Sequence, residues 1–244
     1  KPIFVEIISE NESMKKSVQK YAIIMAGGSG TRMGASVPKQ MLEIDGKPVL
    51  RHTIEKFLSL PFGVKIILVM NKDAKQIWKD YCKESGFTFP HILTDGGITR
   101  FHSVKNGLKY VTEDGIVAVH DGVRPFISKE KLVEIYNMAE EKGAAIPCMK
   151  SIESMRMSDG EGRYVYVDRE KYVTIQTPQI FDSRILLESY GHPYSPEFTD
   201  DASVVEKAGH PLHFCEGTRF NIKITTPEDM DLARAIISLG LDNL

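Results

Sequence analysis

From residue 21 onward, short β-branched runs alternate with longer stretches of helical period, and this alternation restricts the chain to strand–helix–strand units built on a mostly parallel sheet. The clearest strands are 21-YAIIM-25, 64-VKIILVM-70 and 115-GIVAVH-120, with 91-HILT-94, 144-AAIPC-148 and 212-LHFCE-216 as weaker ones. In 128-SKEKLVEIYNMAEEKG-143 the residues Leu132, Ile135, Tyr136 and Ala139 share one face and Gly143 supplies a stop, which predicts an amphipathic helix. Thr226 before Pro227, Glu228 and Asp229 combines an N-cap, a first-turn proline and acidic residues suited to the helix dipole, so a last helix is expected to begin there.

One region breaks the alternation. In 150-KSIESMRMSDGEGRYVYVDREKYVTIQTPQIF-181 two polar, β-rich runs flank Ser-Asp-Gly-Glu-Gly, the signal of a hairpin turn. A β-hairpin arm is therefore expected at about 150–176. Such an arm has too little apolar surface to stand alone, so it should pack on something, a second copy of the chain being the natural candidate.

The 244 residues suit a single α/β domain. The expected organisation is an N-terminal extension over 1–20 followed by one domain over 21–244. Met14-Lys15-Lys16 resembles a natural start, which makes residues 1–13 a loose tail or an addition to the natural chain. With 31 Lys and Arg against 33 Asp and Glu, charge is nearly balanced, which argues against wholesale binding to nucleic acid or an anionic membrane. No apolar run reaches the ~20 residues of a membrane helix. The first residues carry acidic groups where a signal peptide is basic and then apolar. Cys82, Cys148 and Cys215 are odd in number and far apart, fitting neither a disulfide framework nor a zinc site, so reduced thiols and a cytoplasmic location are expected.

The segment 22-AIIMAGGSGTRMGASVPKQ-40 is where chemistry first shows. Glycines leaving a strand let backbone N–H groups point at an anion, most often a phosphate. Two familiar phosphate motifs do not fit: Met33 stands where the dinucleotide fingerprint needs its third glycine, and Lys47 lacks the Ser or Thr that follows a Walker lysine. Pro38 also interrupts any long helix directly after the loop. What remains is a loop with two cations, Arg32 and Lys39, able to converge on one polyphosphate. Taken alone, a Gly-x-Gly turn is more often a tight turn followed by solvated basic residues.

The loop does not stand alone. A-G-G-S-G-T-R-M-G-x-x-x-P-K-Q from Ala26 is followed by G-G-x-x-R-x-x-S-V at 96–104, V-H-D-x-x-R-P at 119–125, V-D-R at 167–169, T-P-Q at 177–179, T-D-D-A-S at 199–203 and N-I-K-I-T at 221–225. In this order and over nearly all of 21–240, the set resembles the cytidylyltransferases that activate polyol phosphates, most closely the 2-C-methyl-D-erythritol 4-phosphate cytidylyltransferase family of non-mevalonate isoprenoid synthesis. The resemblance implies a Rossmann-like α/β fold of nucleotidyltransferase type. It also implies transfer of CMP from CTP to the polyol phosphate with release of pyrophosphate.

Carried over by position, the resemblance implies catalytic roles for Arg32 and Lys39 on the triphosphate, and for Arg169 and Lys223 on the incoming phosphate. Ala26, Gly27, Gly28, Ser29, Gly30, Gly97, Arg100 and Ser103 would bind the nucleotide. Asp121, Arg124, Ser154 and Thr199 would bind the acceptor. Mg²⁺ is implied as cofactor, held mainly by CTP phosphates with Asp121 as its best protein neighbour. A homodimer through the arm would bring Arg169 and Ser154 toward the partner's site.

Elementary chemistry agrees. A phosphate monoester is already deprotonated at neutral pH and needs no general base, so catalysis reduces to positioning and electrostatic stabilisation by cations. Plainer readings exist for single residues: Thr199 as a helix N-cap, Arg169 as a charge on a solvated hairpin, Asp121 as a residue closing a turn, 94-TDGG-97 as a turn only. His120 in an apolar strand reads as a buried structural histidine more readily than as a base. Gly27 in place of the family's usual alanine, D-G-V-R-P for D-A-A-R-P and Phe220 before Asn221 bear on the choice of polyol. Ribitol 5-phosphate cytidylyltransferases share the glycine loop and an F-N-I-K-I-T ending and are the alternative, while V-D-R followed by Q-T-P-Q favours methylerythritol phosphate. Sugar-1-phosphate nucleotidylyltransferases share G-G-x-G-T-R-M but not the early P-K-Q. A nucleotide-binding regulator without turnover is the reading from outside enzymes, and the full complement of cations argues against it.

Overall fold

The structure is a computed structural model and describes residues 18–28 and 38–242. In chain order it contains β1 (Gln19–Met25), β2 (Glu43–Ile44), β3 (Lys47–Pro48), α1 (Val49–Leu58), β4 (Val64–Met70), α2 (Lys72–Ser85), β5 (Ile92–Asp95), α3 (Arg100–Leu108) and β6 (Gly115–Asp121). Then come α4 (Lys129–Lys142), β7 (Ala144–Lys150), β8 (Arg156–Ser158), β9 (Tyr164–Tyr166), β10 (Val173–Ile175), β11 (Gln179–Asp182), α5 (Ser183–Ser189), α6 (Asp201–Lys207), β12 (Phe214–Glu216) and α7 (Pro227–Ser238).

The half of the sheet that carries the alternation runs β5-β4-β1-β6, all parallel. Its strands are apolar on both faces because helices cover both. Ala22 and Ile24 of β1 face a cluster with residues of α1, α2 and α4, while Tyr21 and Ile23 face another with residues of α3, α5 and α6. The other half is antiparallel: β11 pairs with both β6 and β7, and β10 pairs with β7, to which β12 is added in parallel. A third cluster, including Ile44, Val123, Phe126, Ile224 and Met230, packs α7 against the β2–β3 hairpin and the segment after β6. That packing carries residues 221–225 over the end of the parallel strands.

The predicted helix ends hold. The Ser128 hydroxyl accepts from the Lys131 N–H at the start of α4. Gly143 ends that helix at φ 84°, a left-handed angle glycine adopts without steric cost. Thr226 and Asp229 form a capping box ahead of α7, with Pro227 in the first turn.

The hairpin forms as β8 and β9, a two-stranded sheet outside the main one. The arm is shorter than the expected 150–176, because Val173–Ile175 leave it and pair with Met149 and its neighbours on β7. The polar run 168–171 interrupts the strand pattern there and folds as a 3₁₀ turn, Arg169–Lys171, capped by Asp168, after which the chain joins the main sheet.

Candidate active site

The chain passes from β1 to β4 on one side, while β6 lies on the other side of β1. This reversal is a topological switch point, where open α/β sheets bind ligands outside the carboxyl ends of their strands. Met25 and Asp121 are paired in register at that edge. Backbone bonds draw the loops together there: Ala26 N–H donates to Val69 O (2.8 Å), Gly96 N–H to Met70 O (2.8 Å) and Gly122 N–H to Met25 O (2.9 Å).

Side chains secure the same loops. Gln40, buried, donates from Nε2 to Ala26 O at 2.6 Å and thereby ties the Pro38-Lys39-Gln40 turn to the start of the glycine loop. Asn71 caps α2 by accepting from Ala74 N–H and donates to Gly27 O at 3.3 Å. Ser103 Oγ accepts from Gly97 N–H (2.8 Å) and donates to Thr99 O (2.9 Å), closing the turn that precedes α3. Gly97 has no room for a side chain, since a Cβ there would lie 2.4 Å from His102 Cβ and 2.8 Å from its carbonyl carbon. The run 94-TDGG-97 is thus more than a turn signal.

Two adjoining lobes result. The first, about 350 Å³, is lined by Ala26, Gly27, Gly28, Lys39, Gly97, Arg100, Ser103, Asp121 and Lys223 among others. The second, about 170 Å³, is lined by Arg124, Thr177, Gln179, Thr199 and Asp200, and again by Arg100, Asp121 and Lys223. Those last three residues form the junction of the lobes.

The junction is electrostatically committed. Asp121 is buried, yet Lys223 Nζ lies 2.9 Å and Arg124 Nε 3.4 Å from its Oδ2. Burial, the largest influence, pushes its carboxyl up, but Lys223, Arg100 and Arg124 together hold it well below the usual carboxylate range. Arg124 Nη1 also donates to Asn221 O at 2.7 Å, so the motif after β6 and the motif before α7 are bound to each other.

His120 beside it is wholly buried, and burial lowers its pKa to about 4 from 6.5. Its Nε2 lies 3.0 Å from Arg124 O, an acceptor, so the neutral ring carries its proton there; Nδ1 then accepts from Thr177 Oγ1 at 3.1 Å. This histidine is structural. The unfolded chain binds its proton below pH 6.5 whereas the folded one holds it off until about 4. Stability should therefore be full above pH 6.5 and fall by roughly 3 kcal/mol as the pH drops through that window. Melting temperatures measured from pH 7.5 to 4.5 test this, with a His120→Gln chain expected to show a shallower fall over the same range.

Nine of the predicted residues thus meet in the first lobe and two more, Arg124 and Thr199, in the second. Ser29, Gly30 and Arg32 lie outside the described residues. Arg169 and Ser154 are exposed on the arm and line neither lobe; Arg169 Nη1 donates to Ile152 O at 2.6 Å within the arm itself. Thr199 is not the N-cap of α6. Asp200 takes that place through a capping box with Ser203, which leaves Thr199 at the lobe. Sequence reasoning passed over Gln40, Thr177, Gln179, Asp200 and Asp201, although P-K-Q, T-P-Q and T-D-D-A-S carry all five.

Among the described residues no three His, Cys, Asp or Glu side chains cluster as a metal site. A single carboxylate, Asp121, is available at the junction, and its cationic neighbours converge on Oδ2. This donor set fits a Mg²⁺ ion held mostly by phosphate oxygens and water, and not a protein cage. No described helix is long and apolar enough to cross a membrane.

Residues 20–239 match the family profile described as IspD, 2-C-methyl-D-erythritol 4-phosphate cytidylyltransferase. A protein of that name from Bacteroides thetaiotaomicron is 47% identical over 224 residues, covering 92% of this chain and 100% of that one. Another from Geobacillus kaustophilus is 36% identical, covering 89% and 96%. Among solved structures, 4-diphosphocytidyl-2C-methyl-D-erythritol synthase from Anaerococcus prevotii superposes with a TM-score of 0.77 at 29% identity, covering 91% of this chain and 96% of that one. The cytidylyltransferase from Thermus thermophilus gives a TM-score of 0.71 at 27% identity, covering 91% and 100%.

Proposed function

The chain belongs to the 2-C-methyl-D-erythritol 4-phosphate cytidylyltransferase family, and from that premise we propose how its two-lobed cleft works. The enzyme is a nucleotidyltransferase that joins CMP from CTP to 2-C-methyl-D-erythritol 4-phosphate and releases pyrophosphate, a step in non-mevalonate isoprenoid synthesis. The observation that carries the mechanism is the set of residues common to both lobes, Arg100, Asp121 and Lys223. A bond between two bound molecules forms where their pockets meet.

CTP occupies the first lobe. Ala26, Gly27, Gly28, Ser29 and Gly30 offer backbone to its phosphates, Gly97 and Ser103 shape the wall beside the nucleoside, and Arg32 and Lys39 balance charge on the triphosphate. The acceptor occupies the second lobe, with its phosphate at Lys223 and its polyol near Thr199. An oxygen of that phosphate forms a bond to the α-phosphorus of CTP. The bond from that phosphorus to the bridging oxygen breaks, and pyrophosphate leaves with the electron pair. Cations are the main requirement, because two anions must be brought together and the leaving group gains charge. Arg124 acts by holding Asp121 and residue 221 together. Mg²⁺, held by CTP phosphates with Asp121 beside it, would supply further charge neutralisation.

Arg169 and Ser154 complete the acceptor site from the arm of a second copy. Their distance from both lobes supports this reading, as do Tyr164 and Tyr166 at 71% and 74% exposed, an unusual cost for a hairpin left in water. One domain, which the expectation began at 21 and which β1 extends back to Gln19, and a cytoplasmic location with three unpaired thiols, complete the proposal.

Pyrophosphate release from CTP and Mg²⁺, with methylerythritol 4-phosphate and ribitol 5-phosphate as rival acceptors, tests all of this if run across a dilution series that separates dimer from monomer. Release with the first acceptor, lost on dilution to monomer, is the expected result. Release with ribitol 5-phosphate alone would overturn the substrate, and full activity in the monomer would overturn the shared site.

A further inference from the structure

Asp201 opens α6 with its side chain wholly buried, and the mechanism above gives it no part. Both of its oxygens are engaged. Arg100 donates Nη1–H to Oδ1 at 2.8 Å and Nη2–H to Oδ2 at 2.5 Å, an end-on fork, and the Tyr190 hydroxyl donates to Oδ1 at 2.6 Å.

The surroundings of this pair are equally fixed. Buried Gln179 accepts from Ala202 N–H at 2.7 Å and donates to Asp200 Oδ2 at 2.8 Å, which pins the first turn of α6 to β11. Tyr190 stacks on Phe101, the residue after Arg100, with ring centroids 4.7 Å apart and planes 20° off parallel. The carboxylate is thus fixed from several sides, while the Arg100 side chain, about 31% exposed, reaches from it toward the cleft.

Stability alone does not account for this arrangement. A buried ion pair repays little more than its desolvation, and apolar residues of similar volume commonly serve a fold as well or better. The orientation it imposes is more telling. An end-on fork uses one N–H from each terminal nitrogen and leaves three of the five guanidinium N–H groups. Arg100 lines both lobes, so those groups stand at their junction.

Resting on the transfer reading above, we propose that Asp201, backed by Tyr190, is a positioning residue: it holds the Arg100 guanidinium at the junction so that its remaining N–H groups meet the phosphoryl group in transfer. Transfer that depends on positioned charge is sensitive to displacements of about 1 Å, which cost on the order of 10²-fold in rate. Holding Arg100 in advance removes that loss and the rotamer entropy of ordering a long side chain at each turnover.

A double-mutant cycle on the full chain reads this directly. Asp201→Asn is expected to lower kcat about 10²-fold with KM for CTP little changed, the split that marks an interaction made in the transition state. Arg100→Met is expected to lose about 10²- to 10³-fold, and the double variant no more than Arg100→Met alone. Tyr190→Phe keeps the ring stack and the ion pair; it should fold like the native chain and lose about 10-fold in kcat, the lower end for one hydrogen bond to a charged group. Losses that multiply in the double variant, or native kcat in both Asp201→Asn and Tyr190→Phe, would overturn the proposal. A native chain that releases no pyrophosphate at all overturns the transfer reading and this inference with it, whereas an active native chain with a multiplying cycle overturns this inference alone.

Discussion

Lys39→Ala is expected to lower kcat for pyrophosphate release about 10³-fold, the upper range for removing one preorganised charge from a transition state. Lys39 opens the short 3₁₀ turn Lys39–Met41, and the next residue, Gln40, is buried and bonded to Ala26 O, so the backbone that carries the lysine is locked to the glycine loop. The cation therefore reaches the first lobe from a rigid base. Because charge accumulates on the leaving pyrophosphate during bond breakage, the lysine stabilises the transition state more than bound CTP. The loss should appear in kcat more than in KM for CTP, measured by initial rates over a range of CTP concentrations. A fall of less than about 10-fold, far short of a preorganised charge, would remove Lys39 from the catalytic set.

Lys223→Met is expected to cost about 10²- to 10³-fold in kcat/KM for the acceptor, and also to change the pH dependence of the reaction. In the native chain Lys223 is the foremost of the cations that keep buried Asp121 ionised. A carboxylate whose folded pKa is depressed contributes stability that is present above its unfolded value of 3.8 and lost as the pH falls through the folded one. Native Asp121 thus stays charged across the whole range above its unfolded value and adds no acid limb to the rate profile. Without Lys223, burial regains weight against Arg100 and Arg124, and the Asp121 pKa climbs. An acid limb should then appear in kcat/KM, and stability should begin to fall at a higher pH than in the native chain. A Lys223→Met enzyme with a reduced rate but an unchanged pH profile would mean that Asp121 is held by the two arginines alone.

Much of this protein is legible in its residues alone. The strand runs 21–25, 64–70 and 115–120 form because continuous β-branched sequence can be buried only in a sheet covered on both faces, and all three lie side by side. The caps at Ser128, Gly143 and Thr226 are equally local, since each depends on bonds within a few residues. The glycine loop, Lys39, Gly97 and Asp121 carry their meaning in spacing, and they converge on one lobe.

Other features are not local. Val173–Ile175 and Gln179–Asp182 are too short for their residue types to say whether they extend an arm or join a sheet, and long-range pairing with β6 and β7 decides. Thr199 and Asp200 are both good N-caps by residue type; Gln179, distant in sequence, favours Asp200 by taking its carboxylate. Asp201 stands in sequence inside T-D-D-A-S at 199–203 with no role assigned to it, and its complete burial against Arg100 appears only in the fold.

The sequence by itself determined the class of sheet, the helix ends and the chemistry of the loop, because periodicity, capping and phosphate cradles are short-range and follow from residue type. The tertiary structure decided which charges meet. Arg100 and Asp201 lie 101 positions apart, Lys223 and Asp121 are similarly distant along the chain, and Coulomb energy depends on distance through space, which chain separation does not encode.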